Sequence, residues 1–383
     1  MQEETDDVFR PSKLGALLEH FGTIEDPREP PKVRYPLREV LFLVVAATIA
    51  DCEDYDEIAL WGKSHLSFLR RFSEFHFGTP CADWLRVVMN RIDPDLFSAC
   101  FCDWARELRP DAAKLIAIDG KTSRRSHDRK SGRRALHMVS AFATGARLVL
   151  AQEAVDAKEN ECAVIPDILD RLDLDGALVT IDAIACNPMV ADAITGRKGD
   201  YVLAVKANQP TLHREIARYF DDPAAKRQVH SDTDKGHGRI ERRRYHVSYE
   251  VEWLTGNRRY PDEPRFPGLA AIAMVEAAIE QAGTVTTTRR FYLSSAKLTP
   301  ERLAEAVRGH WAIENSLHWV LDVVFNEDQS RLRKGHGAHN MAIVRHFAIN
   351  TVRLAKGKHS IKTTRKLAGW DPDELARILT PPR

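Results

Sequence analysis

The sequence predicts an α/β (α+β) fold: a mixed sheet flanked by helices, with a β-rich insertion and a helical N-terminal region. Three observations predict it. Apolar residues recur at helical spacing through residues 12–110. From about residue 114, short β-type runs come first as a hairpin and then alternate with helical segments. Residues 221–295 break that alternation with β-type patterns joined by loops rich in Pro and Gly. At 383 residues the chain can build one large core or about two to three domains.

Taken in order, Pro36 and "LREVLFLVVAATIADCEDYDEIALWG" give a buried helix and then an amphipathic one. The run Val40–Ala50 is the most apolar in the chain. As a helix it would span roughly 16 Å, short of the ~30 Å membrane core, so it reads as a core helix. Two more helices follow, separated near Asp93-Pro94, completing an accessory bundle over 1–110. "KLIAIDG" is a strand, and "ALHMVSAFATGARLVLAQEAV" is two strands turning at Thr144-Gly145. "NECAVIPDILDRL" reads as a helix capped by Asn160. "GALVTIDAI" and "DYVLAVKAN" are buried strands, each followed by a helix that opens with proline. These segments form the first part of a core, 111–220, and the insertion covers 221–297. A long helix starting at Thr299-Pro300 opens the last core segment, 298–355, and 356–383 is a basic tail.

Net charge is near zero, but the charges are unevenly placed. Lys121–Arg134 holds seven Lys/Arg against Asp128 alone, and Arg331–Lys366 holds ten with no acid. Solvated helix faces interleave the signs, whereas single-sign blocks suit a polyanion such as nucleic acid. The six cysteines contain no C-x-x-C pair, so neither a disulfide framework nor a cysteine metal site is predicted. The chain reads as cytoplasmic, with no membrane partner.

Asp119 and Asp182 each end a β-type run. Either alone reads as a cap for the next turn. On neighbouring strands the pair would converge at one sheet edge, where ligands gather and where two carboxylates repel unless a cation sits between them. Oxygen ligands of this kind suit Mg²⁺ or Mn²⁺. Glu314 is the candidate third acid. On a continuous helix 301–325, His310, Glu314, His318 and Asp322 recur every four residues as one polar stripe beside an apolar face. His310-Glu314-His318 also has a spacing that zinc uses, without a supporting signature. Trp311 and Trp319 flank the stripe, unlike a freely solvated surface. Lys206 ends the "YVLAVK" strand, either as an ordinary strand-end cation or at the same edge as the acids.

The blocks "IAIDGKTSRRSHD", "LHMVSAFA", "KENE", "VTIDAIAC", "DYVLAVKANQP" and "GHWAIENSLHWVLDVVFNEDQSRLRKG", in that order, resemble the DDE transposases of bacterial insertion sequences, in the branch that includes the H-repeat-associated proteins. The resemblance spans roughly residues 14–355. It implies an RNase H-like core and a DNA-binding role for the N-terminal region. Asp119 in "IDGK", Asp182 in "TIDA" and Glu314 in "HWAIEN" match the three metal-binding acids. Related transposases place Tyr, Arg and Lys around the glutamate; here Val307, His310 and Leu321 stand there, so those roles do not carry over, and His310, His318 and Asp322 remain candidate helpers. Ala185, Asn187 and Ala207 depart slightly from the branch's wording.

The activity implied is metal-dependent cleavage and strand transfer of double-stranded DNA at the element's terminal inverted repeats, into target DNA. It implies two Mg²⁺ ions (or Mn²⁺) and a homodimer or higher assembly on DNA. Lys121, Arg124, Arg125 and Lys206 would meet phosphates near the scissile bond, and Arg331, Arg333 and Lys334 would grip DNA further away. His137, Lys158 and Asn160 would serve the hairpin and the following helix start. The competing expectations are an RNase H-like nuclease that cuts without joining, and an inactive or co-opted DNA-binding remnant.

Overall fold

The computed structural model describes residues 13–108, 114–128, 130, 132–155, 161–206, 208–236, 238–256, 264–355 and 357–380. Lys158, Asn160 and Ala207, singled out from the sequence, lie outside the described residues. The chain divides into two compact units: Met1–Arg109 with Thr122–Leu136 and Trp319–Arg383, and Pro110–Lys121 with His137–His318.

The first unit is helical. It contains α1 (Lys13–Gly22), α2 (Leu37–Ile49), α3 (Tyr55–Ser64), α4 (Leu66–Leu69), α5 (Ala82–Met89) and α6 (Pro94–Glu107). Every residue of α2 except Arg38 is buried, as its unbroken apolar run requires. Asp54 caps α3 by accepting from the backbone N–H groups of Asp56 and Glu57, and Asp93 caps α6 with Pro94 at its first position.

The second unit is one nine-stranded sheet with helices against it, in the order β3-β2-β1-β4-β5-β9-β8-β7-β6. Its chain order is β1 (Leu115–Thr122), β2 (His137–Ala143), β3 (Leu148–Val155), α7 (Glu161–Asp170), β4 (Leu178–Ile181), α8 (Pro188–Thr195), β5 (Asp200–Val205) and α9 (Pro210–Asp221). Then come β6 (Gln228–Gly236), β7 (Arg239–Ser248), α10 (Glu252–Thr255), β8 (Ala271–Gln281), β9 (Thr284–Ser294) and α11 (Pro300–Ile313). β1, β4 and β5 are parallel, while β9, β8, β7 and β6 are antiparallel, so the sheet is mixed. Residues 115–205 supply the contiguous part β3-β2-β1-β4-β5 of this sheet. Residues 221–297 supply β6–β9, which extend the core sheet through the β5–β9 pairing rather than building a sheet of their own. The inner ends of β7, β8 and β9 pack Tyr245, Val247, Ala273 and Tyr292 against Leu303, Ala306 and Val307 of α11.

After α11 the chain widens into a π-helical turn, Glu314–His318, and continues as α12 (Trp319–Val323). The expected helix thus forms over Pro300–Val323 with a π turn inside it, and Asp322 belongs to the first unit whereas His310, Glu314 and His318 belong to the second. Trp311 and Trp319 are exposed. The first unit is completed by α13 (Gly337–Leu354), α14 (Ile361–Trp370) and α15 (Pro372–Leu379), so most of the described basic tail is helical. Within the basic run 331–366, Arg345 and Arg365 are buried. Arg365 donates to Thr48 O at 2.9 and 3.2 Å and to Val324 O, approaches Asp51 and Glu53 at 3.2 and 3.4 Å, and lies 4.0 Å from the Phe325 ring. These two cations serve the core, not a polyanion surface.

Candidate active site

Strand register brings the first two acids together. Ile118 of β1 is the partner of Ile181 of β4 in a parallel pair, so the next residues, Asp119 and Asp182, leave the core at the same level of adjacent strands. Parallel strands run roughly 4.8 Å apart, which makes the two carboxylates neighbours through the backbone alone. The turn after Asp182 is pinned from the β5 side. Asn208 Nδ2 donates to Ala183 O at 2.6 Å, and Gln209 Nε2 donates to Cys186 O at 3.1 Å.

The third acid arrives on α11. At Gly309 a Cβ would lie 2.3 Å from Leu115 Cδ2, so the helix reaches the start of β1 because nothing larger stands there. Thr180 Oγ1 donates to Ile116 O at 3.3 Å and lies 3.1 Å from His310 Nδ1. Because the hydroxyl has one proton, the imidazole donates from Nδ1 in this arrangement. Burial holds His310 below its usual pKa, despite the nearby Asp182 charge, which keeps it neutral. His310 therefore ties α11 to β4, one turn before Glu314.

Asp119, Asp182 and Glu314 line one cavity of about 450 Å³, with Lys206, His310 and Trp311 among its walls. Burial chiefly, together with the charges of Glu161, Glu314 and Asp182 and against the Gly120 N–H that lowers it, pushes the Asp119 carboxyl up to about 7. Burial would also raise Asp182, but hydrogen bonds and charge from Lys206 hold its carboxyl below the usual range. Lys206 Nζ sits 2.8 and 3.0 Å from the two Asp182 oxygens, and His318 Nδ1 lies 3.7 Å from Asp119 Oδ2. A partly buried acid cluster with one cation on it suits a divalent metal. Among the described residues, no group of three or more His, Cys, Asp or Glu side chains is already arranged to hold a metal ion.

The cations read from the sequence are distributed as follows. Lys121 is half-buried on β1, and Lys206 is exposed and engaged with Asp182. In the first unit, Arg124 and Arg125 are exposed in a 3-10 turn; the Arg124 backbone N–H donates to Asp328 Oδ1 at 3.1 Å, and Arg333 Nε donates to Arg125 O at 3.1 Å. Arg331, Arg333 and Lys334 line a cavity of about 690 Å³ with Arg86, His127 and Lys130. Two basic blocks two hundred residues apart thus merge into one patch, with a contribution from α5.

Sequence reasoning passed over Arg290, which lies 4.8 Å above the Trp311 ring and lines the acid cavity, and Glu161. An Arg-Arg pair interrupting the β9 pattern "TTTRRFYLSS" was the available signal for the first. The resemblance block "KENE" was the signal for the second.

Comparison with known proteins gives a consistent assignment. The family described as "Transposase DDE domain" matches residues 110–351, and its "DDE_Tnp_1-associated" companion matches 18–105. The chain is 36% identical over 381 residues to the "H repeat-associated putative transposase YhhI" of Escherichia coli strain K12, covering 96% of this chain and 98% of that one. It is 40% identical over 286 residues to an "Uncharacterized protein in dhlA 3'region" of Xanthobacter autotrophicus, covering 73% and 94%. Among solved structures, the cryo-EM structure of a piggyBac transposase synaptic complex with hairpin DNA aligns with a TM-score of 0.43 at 11% identity, over 96% of this chain and 78% of that one. That likeness is too distant to add to the assignment.

Proposed function

Because the chain belongs to the family of transposases with a DDE domain, we propose that it cleaves DNA at the ends of a mobile element and joins the freed 3′ ends to target DNA. Asp119, Asp182 and Glu314 would hold two divalent ions, Mg²⁺ or Mn²⁺. The observation that carries this reading is the Ile118–Ile181 register, which sets Asp119 beside Asp182 in a cavity that also contains Glu314.

When bound, such ions turn a water or a 3′-hydroxyl into a nucleophile and stabilise the leaving oxygen. The chain's own residues supply the rest. Lys206 neutralises Asp182 in the metal-free protein and, once displaced, is left beside the site as a phosphate contact. Neutral His310 holds α11 in register without adding positive charge that would compete for the acids. The patch of Arg86, Lys130, Arg331, Arg333 and Lys334 grips backbone phosphates, which positions DNA without reading its sequence.

The test is to incubate the protein and Mg²⁺ with DNA bearing a pre-cleaved 3′-hydroxyl end and a target plasmid. Joined products support the proposal, and their loss in Asp119→Asn, Asp182→Asn and Glu314→Gln assigns them to this site. Hydrolysis alone reduces the reading to a nuclease. Binding with neither product makes the chain an inactive remnant.

A further inference from the structure

The strongest unexplained feature of the second unit is a buried acid–histidine pair beneath the first strand. Glu161, at the start of α7, and His137, at the start of β2, are both buried, with side-chain exposures of 6% and 3%. Glu161 Oε1 and His137 Nε2 are 2.7 Å apart. Two groups of this kind in the interior are costly to desolvate and are kept where something else uses them. What they touch is the residue after Asp119. A Cβ at Gly120 would lie 2.4 Å from His137 Nε2 and 2.6 Å from Glu161 Oε1, so the pair rests directly on the Gly120 backbone and excludes any side chain there.

From this packing we infer that Glu161, anchored by His137, is a fourth acid of the metal-binding cluster, a positioning residue that fixes Asp119 and strengthens its hold on a divalent ion. It rests on the metal reading above. Asp119 is reached from below through Gly120, whose N–H also acts on its carboxyl. A buried carboxylate that close costs the metal-free protein repulsion, which a cation converts into attraction. Groups behind metal ligands typically change affinity by about 10- to 100-fold when removed.

The experiment measures Mn²⁺ binding to the full chain by electron paramagnetic resonance, alongside thermal unfolding in chelator. Glu161→Gln keeps the shape and the hydrogen bond to His137 but removes the charge. It is expected to weaken Mn²⁺ binding by about 10-fold or more while the metal-free melting temperature stays level or rises. Glu161→Asp, which restores the charge, should recover part of the affinity. Gly120→Ala, which displaces the pair without altering a charge, should weaken binding as Glu161→Gln does. Mn²⁺ binding by Glu161→Gln within twofold of the native chain overturns the inference. So does a loss of metal-free stability shared by Glu161→Gln and Glu161→Asp with affinity unchanged, since that marks a purely structural pair. If Asp119→Asn also binds Mn²⁺ normally, the metal reading itself falls. If Asp119→Asn loses binding and Glu161→Gln keeps it, only the role of Glu161 falls.

Discussion

Replacing Asp119 with asparagine should make the metal-free protein more stable at alkaline pH while removing its chemistry. Burial chiefly, and then the charges of Glu161, Glu314 and Asp182, raise this carboxyl from 3.8 to about 7. A raised folded-state pKa means that stability is fully present below pH 3.8 and is lost as pH climbs to 7, because the unfolded chain ionises first. The gap of about 3 units corresponds to about 4 kcal/mol at pH 8, of which only about 1 kcal/mol is already lost at pH 4.5. Asparagine has the same shape and no charge, so its advantage over aspartate should grow by roughly 3 kcal/mol between pH 4.5 and pH 8. Urea unfolding in chelator at the two pH values, followed by hydrogen exchange in β1 and β4, measures this directly. Adding Mg²⁺ should reverse the order, since an ion that binds only the folded native chain stabilises it by mass action. An advantage that is the same at both pH values, or a variant that still gains stability from Mg²⁺, would refute the electrostatic reasoning.

Three further outcomes follow from the first unit. Arg365→Met leaves Asp51 and Glu53 without their shared cation and frees the Thr48 and Val324 carbonyls, so it should cost about 3–5 kcal/mol in denaturant titration, whereas exposed Lys366→Ala should cost almost nothing. Arg333→Ala with Lys334→Ala should weaken DNA binding equally across sequences and reduce the slope of log affinity against log salt by about two, read by fluorescence anisotropy. His339 is buried and held down to about 4 chiefly by that burial, so its contribution is present above pH 6.5 and lost as pH falls toward 4. His339→Gln should therefore lose about 3 kcal/mol less than the native chain between pH 7 and pH 4, and equal acid lability of the two would exclude this histidine as the cause.

Much of the architecture was legible because local rules wrote it. The run Leu37–Ile49 could only be a buried helix, Thr144-Gly145 could only turn a hairpin, and the apolar runs before Asp119 and Asp182 could only be core strands, although β1 continues past Asp119 to Thr122 while β4 ends before Asp182. The sequence was misleading wherever long-range packing overrode periodicity. A four-residue stripe at His310, Glu314, His318 and Asp322 implied a regular α-helix, but a π turn begins at Glu314 inside the helical run. A run of cations from Arg331 to Lys366 implied one surface, but Arg345 and Arg365 are drawn inward by carboxylates and carbonyls distant in the chain.

The sequence by itself determined which acids this protein owns, that two of them end β-type runs, and that its basic residues are blocked rather than interleaved. Only the tertiary structure decided that β1 and β4 are parallel neighbours with Ile118 facing Ile181, and that Glu161 and His137 pack beneath Gly120. The reason is physical. An apolar run or a charge block is fixed by neighbours in the chain, whereas strand register and the burial of an acid are set by partners tens of residues away, whose contacts no local pattern encodes.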